Sequence, residues 1–138
     1  MDDRSTTVRE LMDLVLRFSR ERDWEQFHHP KDLGICLAIE VGEVLEHFRF
    51  RTDAAIRGDL EDPDRRRAMA HEMADCLWAL LRLADVCGID LAGALEEKIA
   101  LAAEKYPVEQ SSGRADKYTA YVRSGEEDET GEESSEKN

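Results

Sequence analysis

Apolar side chains recur along this chain with the spacing of helices rather than of strands. Val8, Leu11, Met12, Val15 and Phe18 follow the i, i+3, i+4, i+7 rhythm of one buried face. A first helix is therefore predicted from a cap at Thr6 or Thr7 to about Arg22. The stretch Asp23 to Pro30 breaks the rhythm, and Pro30 with Asp32 as N-cap opens a second helix from Leu33 to about Phe50. Asp62 followed by Pro63 gives a similar start signal for a long helix that ends near Gly88. Asp90 caps a fourth helix from Leu91 to about Tyr106, which Pro107 stops. Residues 52 to 60 have room for a short helical turn between the second and third helices. No segment alternates with period two over a useful length, so no strand is expected. Four helices with short links predict an all-α fold, a four-helix bundle.

Acids interrupt this pattern where it is most apolar. The second helix carries Ile35, Cys36, Leu37, Ala38, Ile39, Val41, Val44, Leu45 and Phe48, yet Glu40 and Glu43 stand among them. At 100° per residue these two lie about 60° apart and point together, with His47 between them in projection. The third helix repeats the anomaly: Asp75 sits inside an apolar run from Met73 to Leu81, with Glu72 three residues before it. An ionised carboxylate buried without a partner costs several kcal/mol, comparable to the roughly 5 to 15 kcal/mol that hold a domain together. Four converging acids therefore need cations. The two helices offer Arg49 at one end and Arg65, Arg66, Arg67 and Arg82 on what reads as other sectors, so no base interleaves the acids. A hard divalent metal fits them better: Mg²⁺ prefers carboxylate oxygens, keeps some waters and completes its octahedron with substrate phosphates.

Composition narrows the picture. The 138 residues suffice for one domain, and 41% hydrophobic with 37% charged residues describe a soluble globular chain. The net charge of −13 argues against a nucleic-acid polymer or an acidic membrane as partner. No apolar run is long enough to span a bilayer and no basic, apolar leader opens the chain, so a cytoplasmic location is expected. Cys36, Cys76 and Cys87 lack CxxC spacing and sit in apolar helical runs, which reads as reduced core thiols. Residues 122–138 are expected to form a disordered acidic tail, since seven acids and one Lys crowd into the last fifteen positions; residues 1–121 form the domain. No Gly-rich phosphate loop is present. His71-Glu72-Met73-Ala74-Asp75 approaches the zinc-protease pattern HExxH, but Asp75 replaces the second His and His71 lies about 100° from Glu72, a surface position.

Taken together, Glu40-Val41-Gly42-Glu43, then 28 residues, then Glu72-Met73-Ala74-Asp75 resembles the metal box of the all-α nucleoside triphosphate pyrophosphohydrolases, the MazG-like superfamily, and within it the dCTP pyrophosphatase branch. The segment Glu21 to His28 before the second helix, and Tyr106-Pro107-Val108 and Lys117-Tyr118-Thr119 after the fourth, extend the resemblance over residues 6 to 121. It implies that Glu40, Glu43, Glu72 and Asp75 hold Mg²⁺, with Mn²⁺ as a substitute, against the triphosphate of a nucleotide. It also implies cleavage between the α and β phosphates to give a monophosphate and pyrophosphate, a house-cleaning reaction on the nucleotide pool. Glu43 is the carboxylate chosen as catalytic base. Trp24, with His28 in the same segment, and Phe50 are the candidate base-pocket residues, and Lys98 and Lys105 are candidates for phosphate oxygens. His29 reads as a surface or capping residue. Lys117 and Tyr118 match a segment that wraps towards the site.

This chain also departs from that pattern. It has Ala79 where the resemblance expects Tyr, Ala102 for Asn, Val15 for His and Phe50 for Trp. A pocket short of hydrogen-bonding side chains predicts broader base selectivity than dCTP alone, dUTP included. A second reading is a catalytically weak helical module that binds a nucleotide or a partner. Apolar surface on four short helices predicts a homo-oligomer, a dimer or tetramer.

Overall fold

The computed structural model describes residues 1–117, which divide into two compact units, one spanning Met1–Leu91 and the other beginning at Ala92. The tail expected at 122–138, and Tyr118, lie outside the described residues. Among the described residues there is no strand, and the all-α expectation is borne out.

The first unit holds four helices: α1 (Val8–Arg20), α2 (Pro30–Glu46), α3 (Asp53–Glu61) and α4 (Pro63–Cys87). Thr7 caps α1 through a reciprocal box, its hydroxyl accepting from the Glu10 N–H at 3.2 Å while its own N–H donates to the Glu10 carboxylate at 2.7 Å. α2 begins earlier than its sequence predicts. Pro30 itself takes the first helical position, with His29 at the N-cap and Asp32 inside the first turn. Proline is preset for that position and has no N–H to leave unpaired, so it outcompetes Asp32 as the boundary, and Asp32 instead meets the positive end of the helix dipole. The helix also stops at Glu46, because the chain turns over residues 47–50 and leaves Phe50 with a positive φ of 57°. The short turn expected at 52–60 is the nine-residue helix α3, capped by Thr52, whose hydroxyl accepts from the Ala55 N–H at 3.3 Å.

α4 follows the sequence signals closely. The Asp62 carboxylate accepts from the N–H groups of Asp64 and Arg65 at 2.9 and 3.2 Å, and Pro63 opens the helix. Gly88 ends it in the left-handed region at φ 65°, a conformation that a side chain would strain. α1, α2 and α3 all pack on α4. The shared core is small: Leu16 from α1, Leu33 from α2, and Met69, Ala79, Leu81 and Ala84 from α4. Asp59 of α3 accepts from Arg65 of α4 and from Arg51, and these pairings hold its carboxyl below the ordinary carboxylate range.

The second unit begins within α5 (Leu91–Lys105), one residue past its start, and also holds the single-turn α6 (Val108–Ser111). Pro107 stands at the N-cap of α6, and the Ser111 hydroxyl closes that turn by donating to the Pro107 carbonyl at 2.8 Å.

The three cysteines carry no disulfide, but they are not core residues: Cys36 and Cys87 are exposed and Cys76 is half-buried. Their runs are apolar on more faces than the unit has neighbours to cover.

Candidate active site

α2 and α4 pack directly on each other, and this contact brings the acids together. Glu40 and Glu43 sit one turn apart on α2, Glu72 and Asp75 one turn apart on α4. One carboxylate oxygen from each of Glu40, Glu43 and Glu72 lies within 4.8 Å of the others. Asp75 stands beside this group, close enough for its charge to act on Glu40. The acids do not occupy the closed seam that the sequence suggests. Glu40, Glu72 and Asp75 are half-buried and Glu43 is exposed, so crowding joins burial as a cost. Both show at Glu40, whose carboxyl is pushed above its ordinary value first by desolvation and then by Glu43, Asp75 and Glu72. None of the four makes an ion pair among the described residues. Converging carboxylate oxygens without a protein cation suit a hard divalent ion, which takes oxygen ligands and tolerates water in the rest of its shell.

A cavity of about 310 Å³ adjoins the acids, lined by Trp24, His28, Leu33, Cys36, Glu40, Asp75, Trp78, Ala79 and Arg82. Its size falls at the lower end of the roughly 300 to 1,000 Å³ usual for small-molecule sites. Its aromatic side is built by edge-to-face contacts: Phe18 of α1 meets Trp24 at 5.8 Å and Trp78 of α4 at 4.9 Å between centroids. Trp24 in turn lies edge-on to His28 at 6.4 Å. A 3₁₀ turn, Glu25–Phe27, carries the chain from Trp24 to His28 and sets both on the cavity.

Arg82 is the residue that sequence reasoning placed wrongly. It does not lie on another sector of the helix: seven residues are two turns, so Arg82 falls about 20° from Asp75 on the same stripe. Its residue surface is 2% exposed. The charge is satisfied on one side by the Asp85 carboxylate, to which Nη1 donates at 3.0 Å, and on the other by His28, whose Nδ1 accepts from Nε at 3.1 Å. The signal was legible as an Arg inside Leu80-Leu81-Arg82-Leu83-Ala84 with an acid three residues on. The His28 pKa is pushed below its ordinary value, mainly by desolvation and then by the Arg82 charge, with Glu25 opposing.

The MazG-like family model matches residues 35–120. The chain belongs to the MazG-like family. The dCTP pyrophosphatase 1 of Rattus norvegicus is 39% identical over 117 residues, covering 85% of this chain and 69% of its own length. That of Homo sapiens is 36% identical over 113 residues, covering 82% of this chain and 66% of its own. Among solved structures, a pyrophosphatase from Archaeoglobus fulgidus superposes with a TM-score of 0.68 at 33% identity, over 78% of this chain and 98% of its own. Membership bears out the enzyme class expected from the sequence, a nucleoside triphosphate pyrophosphatase.

For this MazG-like chain the structure gathers some sequence-predicted residues and leaves others apart. Glu40, Asp75, Trp24 and His28 meet at the cavity, with Glu43 and Glu72 completing the acidic group. Phe50 does not line the cavity: it is 97% exposed, with the Arg49 guanidinium over its ring. Its backbone is left-handed, in the turn after α2. Lys98 and Lys105 are exposed residues of α5 in the second unit, where Ala102 is half-buried. Ala79 is buried and contributes only a methyl to the cavity wall. Val15 is half-buried on α1, Lys117 and His71 are exposed, and His29 takes the N-cap position of α2.

Proposed function

We propose that the chain hydrolyses a deoxynucleoside triphosphate of the dCTP kind between its α and β phosphates, with Mg²⁺ held by Glu40, Glu43, Glu72 and Asp75 and Mn²⁺ as a substitute. The observation that carries this reading is the convergence of unpaired carboxylates from α2 and α4 beside a cavity with aromatic walls. A divalent ion, when bound, supplies charge neutralisation for the phosphates and acidifies a coordinated water. The protein's own part is positional and basic. Glu43, the most exposed of the acids, accepts a proton from the attacking water as its oxygen bonds to the α phosphorus and the bridging oxygen leaves with pyrophosphate. Trp24 and Trp78 offer ring faces and edges to a base. Lys98 and Lys105 remain the candidates for phosphate oxygens. Three free thiols suit the reducing cytoplasm, where such a pool-cleaning enzyme would act. The test is pyrophosphate release from a panel of canonical and modified triphosphates with Mg²⁺. Wild-type turnover should vanish in Asp75→Ala; a folded wild type that releases pyrophosphate from none of them would refute the assignment.

The same reading includes a homo-oligomer, a dimer or tetramer. Ile35, Ile39 and Leu45 of α2 and Met73 and Leu77 of α4 are exposed large apolar side chains on the two helices that build the site. Surface of this kind on neighbouring helices is a mark of association. Light scattering coupled to size exclusion should give at least twice the 15.8 kDa chain mass, and Ile39→Lys should shift it towards the monomer. A wild type that runs as a monomer at micromolar concentration contradicts the expectation.

A further inference from the structure

The groove between α2 and α4 continues past the acids, at the end away from the aromatic cavity. Cys36 and Ala79 share the aromatic cavity, Glu40, Glu43 and Glu72 form the acidic group, and His47 and Ala68 share a second cavity of about 270 Å³. His47 stands one turn beyond Glu43 and Ala68 one turn before Glu72, so this cavity begins one helical turn from the acids along both helices. Its charge is of the opposite sign. Arg51, between α2 and α3, and Arg65 of α4 line it with Asp59 and Glu46. One carboxylate serves both arginines: Asp59 Oδ2 accepts from Arg51 Nη2 and Oδ1 from Arg65 Nη1. Each guanidinium has five N–H donors and uses one there, and neither makes another side-chain bond among the described residues. Glu46 does not neutralise them, because its carboxylate meets Arg49 at 2.7 Å. Two guanidiniums thus face one free-standing carboxylate, a local positive excess in a chain of net charge −13.

We propose that the cavity of Arg51 and Arg65 is a second site, separate from the aromatic cavity, for an oxyanion of the phosphate class. A tie between α3 and α4 needs Arg65 alone, and a second exposed pair on the same carboxylate adds little to stability. What Arg51 adds is geometry: half-buried Asp59 holds two planar forks on one cavity, each with unused donors, the arrangement that recognises phosphate oxygens. A free carboxylate would bring no more than Asp59 already provides, whereas a phosphate brings more oxygens and up to two charges. Two sources supply that chemistry. One is the terminal phosphates of a triphosphate whose α phosphate lies at the acids; the other is free orthophosphate or pyrophosphate. The site itself stands on the cavity and its charges, and only the first source rests on the proposed function.

The test is calorimetric titration of the full chain with orthophosphate in metal-free chloride buffer, where no bound metal offers phosphate another place. Binding is read directly, because phosphate stabilises folded proteins in general by exclusion from their surface and a melting curve would not separate the two effects. Wild type should show saturable binding, and Arg51→Gln and Arg65→Gln should each weaken it at least about tenfold, the worth of one charge-assisted bond. Arg65→Lys, which keeps the charge and loses the fork, should fall between wild type and Arg65→Gln. No saturable binding by the wild type, or binding that either glutamine variant keeps in full, overturns the site. Titration in Mg²⁺ with a saturating α,β-imido triphosphate, which is not hydrolysed, then separates the sources. If the Arg65-dependent binding disappears, the terminal phosphates fill the site; if it persists, a free anion does, and the site stands in both cases. A chain that binds phosphate in this way but releases pyrophosphate from no triphosphate keeps the site and loses the proposed function. One that hydrolyses triphosphates without Arg65-dependent binding keeps the function and loses the site.

Discussion

Two ends of one cavity handle charge in opposite ways, and helix α4 contributes to both. At one end Glu72 and Asp75 face Glu40 and Glu43, half-buried or exposed and without an ion pair among the described residues. Two turns along the same stripe, Arg82 is almost wholly buried, and both Asp85 and His28 engage it. Charges left crowded keep a standing electrostatic cost that a cation can relieve, so the acidic end is built to be completed by a ligand. Charges already satisfied resist movement, because breaking a buried pair leaves one partner uncompensated, so the inner end holds its donors in fixed directions. One end is suited to chemistry and the other to recognition.

The sharpest way to break this comparison is to remove the base without removing the metal box. In Glu43→Gln, kcat should fall by about 10²- to 10⁴-fold, the usual worth of a positioned general base. Mg²⁺ should still raise the melting temperature of that variant, because Glu40, Glu72 and Asp75 remain, and a ligand that binds only the folded state stabilises it by mass action. Calorimetric or fluorescence melting with and without Mg²⁺ measures the second effect, and single-turnover pyrophosphate release the first. Wild-type turnover by a Glu43→Gln enzyme that still binds Mg²⁺ would take the base role from Glu43. A wild type whose melting point ignores Mg²⁺ would remove the distinction between the two ends, since the acids would then be paid for by something else.

The two ends were also unequally legible in the sequence. The acids announced themselves because carboxylates at i, i+3 inside apolar runs on two helices are a chemical anomaly, and a pattern of spacing survives without coordinates. The helix ends were legible where one signal acted alone, as at Asp62-Pro63 and Gly88, and not where two competed, as with Pro30 and Asp32. Arg82 was misread because a single charge in a run looks like a solvated one; its apolar flanks and the acid three residues on were legible, but its bond to His28, 54 residues away in sequence, is encoded by no local pattern. The cysteines failed for a related reason: an apolar run predicts burial only where another element arrives to cover it, and α2 has more apolar faces than neighbours.

The smallest expected effect concerns the imidazole that links the inner end to the aromatic wall. Desolvation and Arg82 depress its pKa in the folded state below the ordinary value of 6.5, and Glu25 offsets part of this. Between those two values the unfolded chain binds more protons than the folded one, so stability rises with pH. The contribution of neutral His28 is complete above 6.5 and is lost as pH falls through the depressed folded value. Protonation there would also set Nδ1–H against the Arg82 Nε–H and break the bond that fixes the tautomer. Glu40 acts in the opposite sense: its raised pKa contributes stability below its ordinary value of 4.5 that is lost as pH rises through the folded one. Urea unfolding of wild type against His28→Gln from pH 8 to pH 5 separates the two, because Gln still accepts from Arg82 but does not titrate. The wild type should lose its advantage over the variant on the acid side of 6.5 and keep it on the alkaline side. A difference that stays flat across that range, or grows towards acid, would mean that the imidazole is not held neutral against Arg82, and that the donors at this end are not fixed.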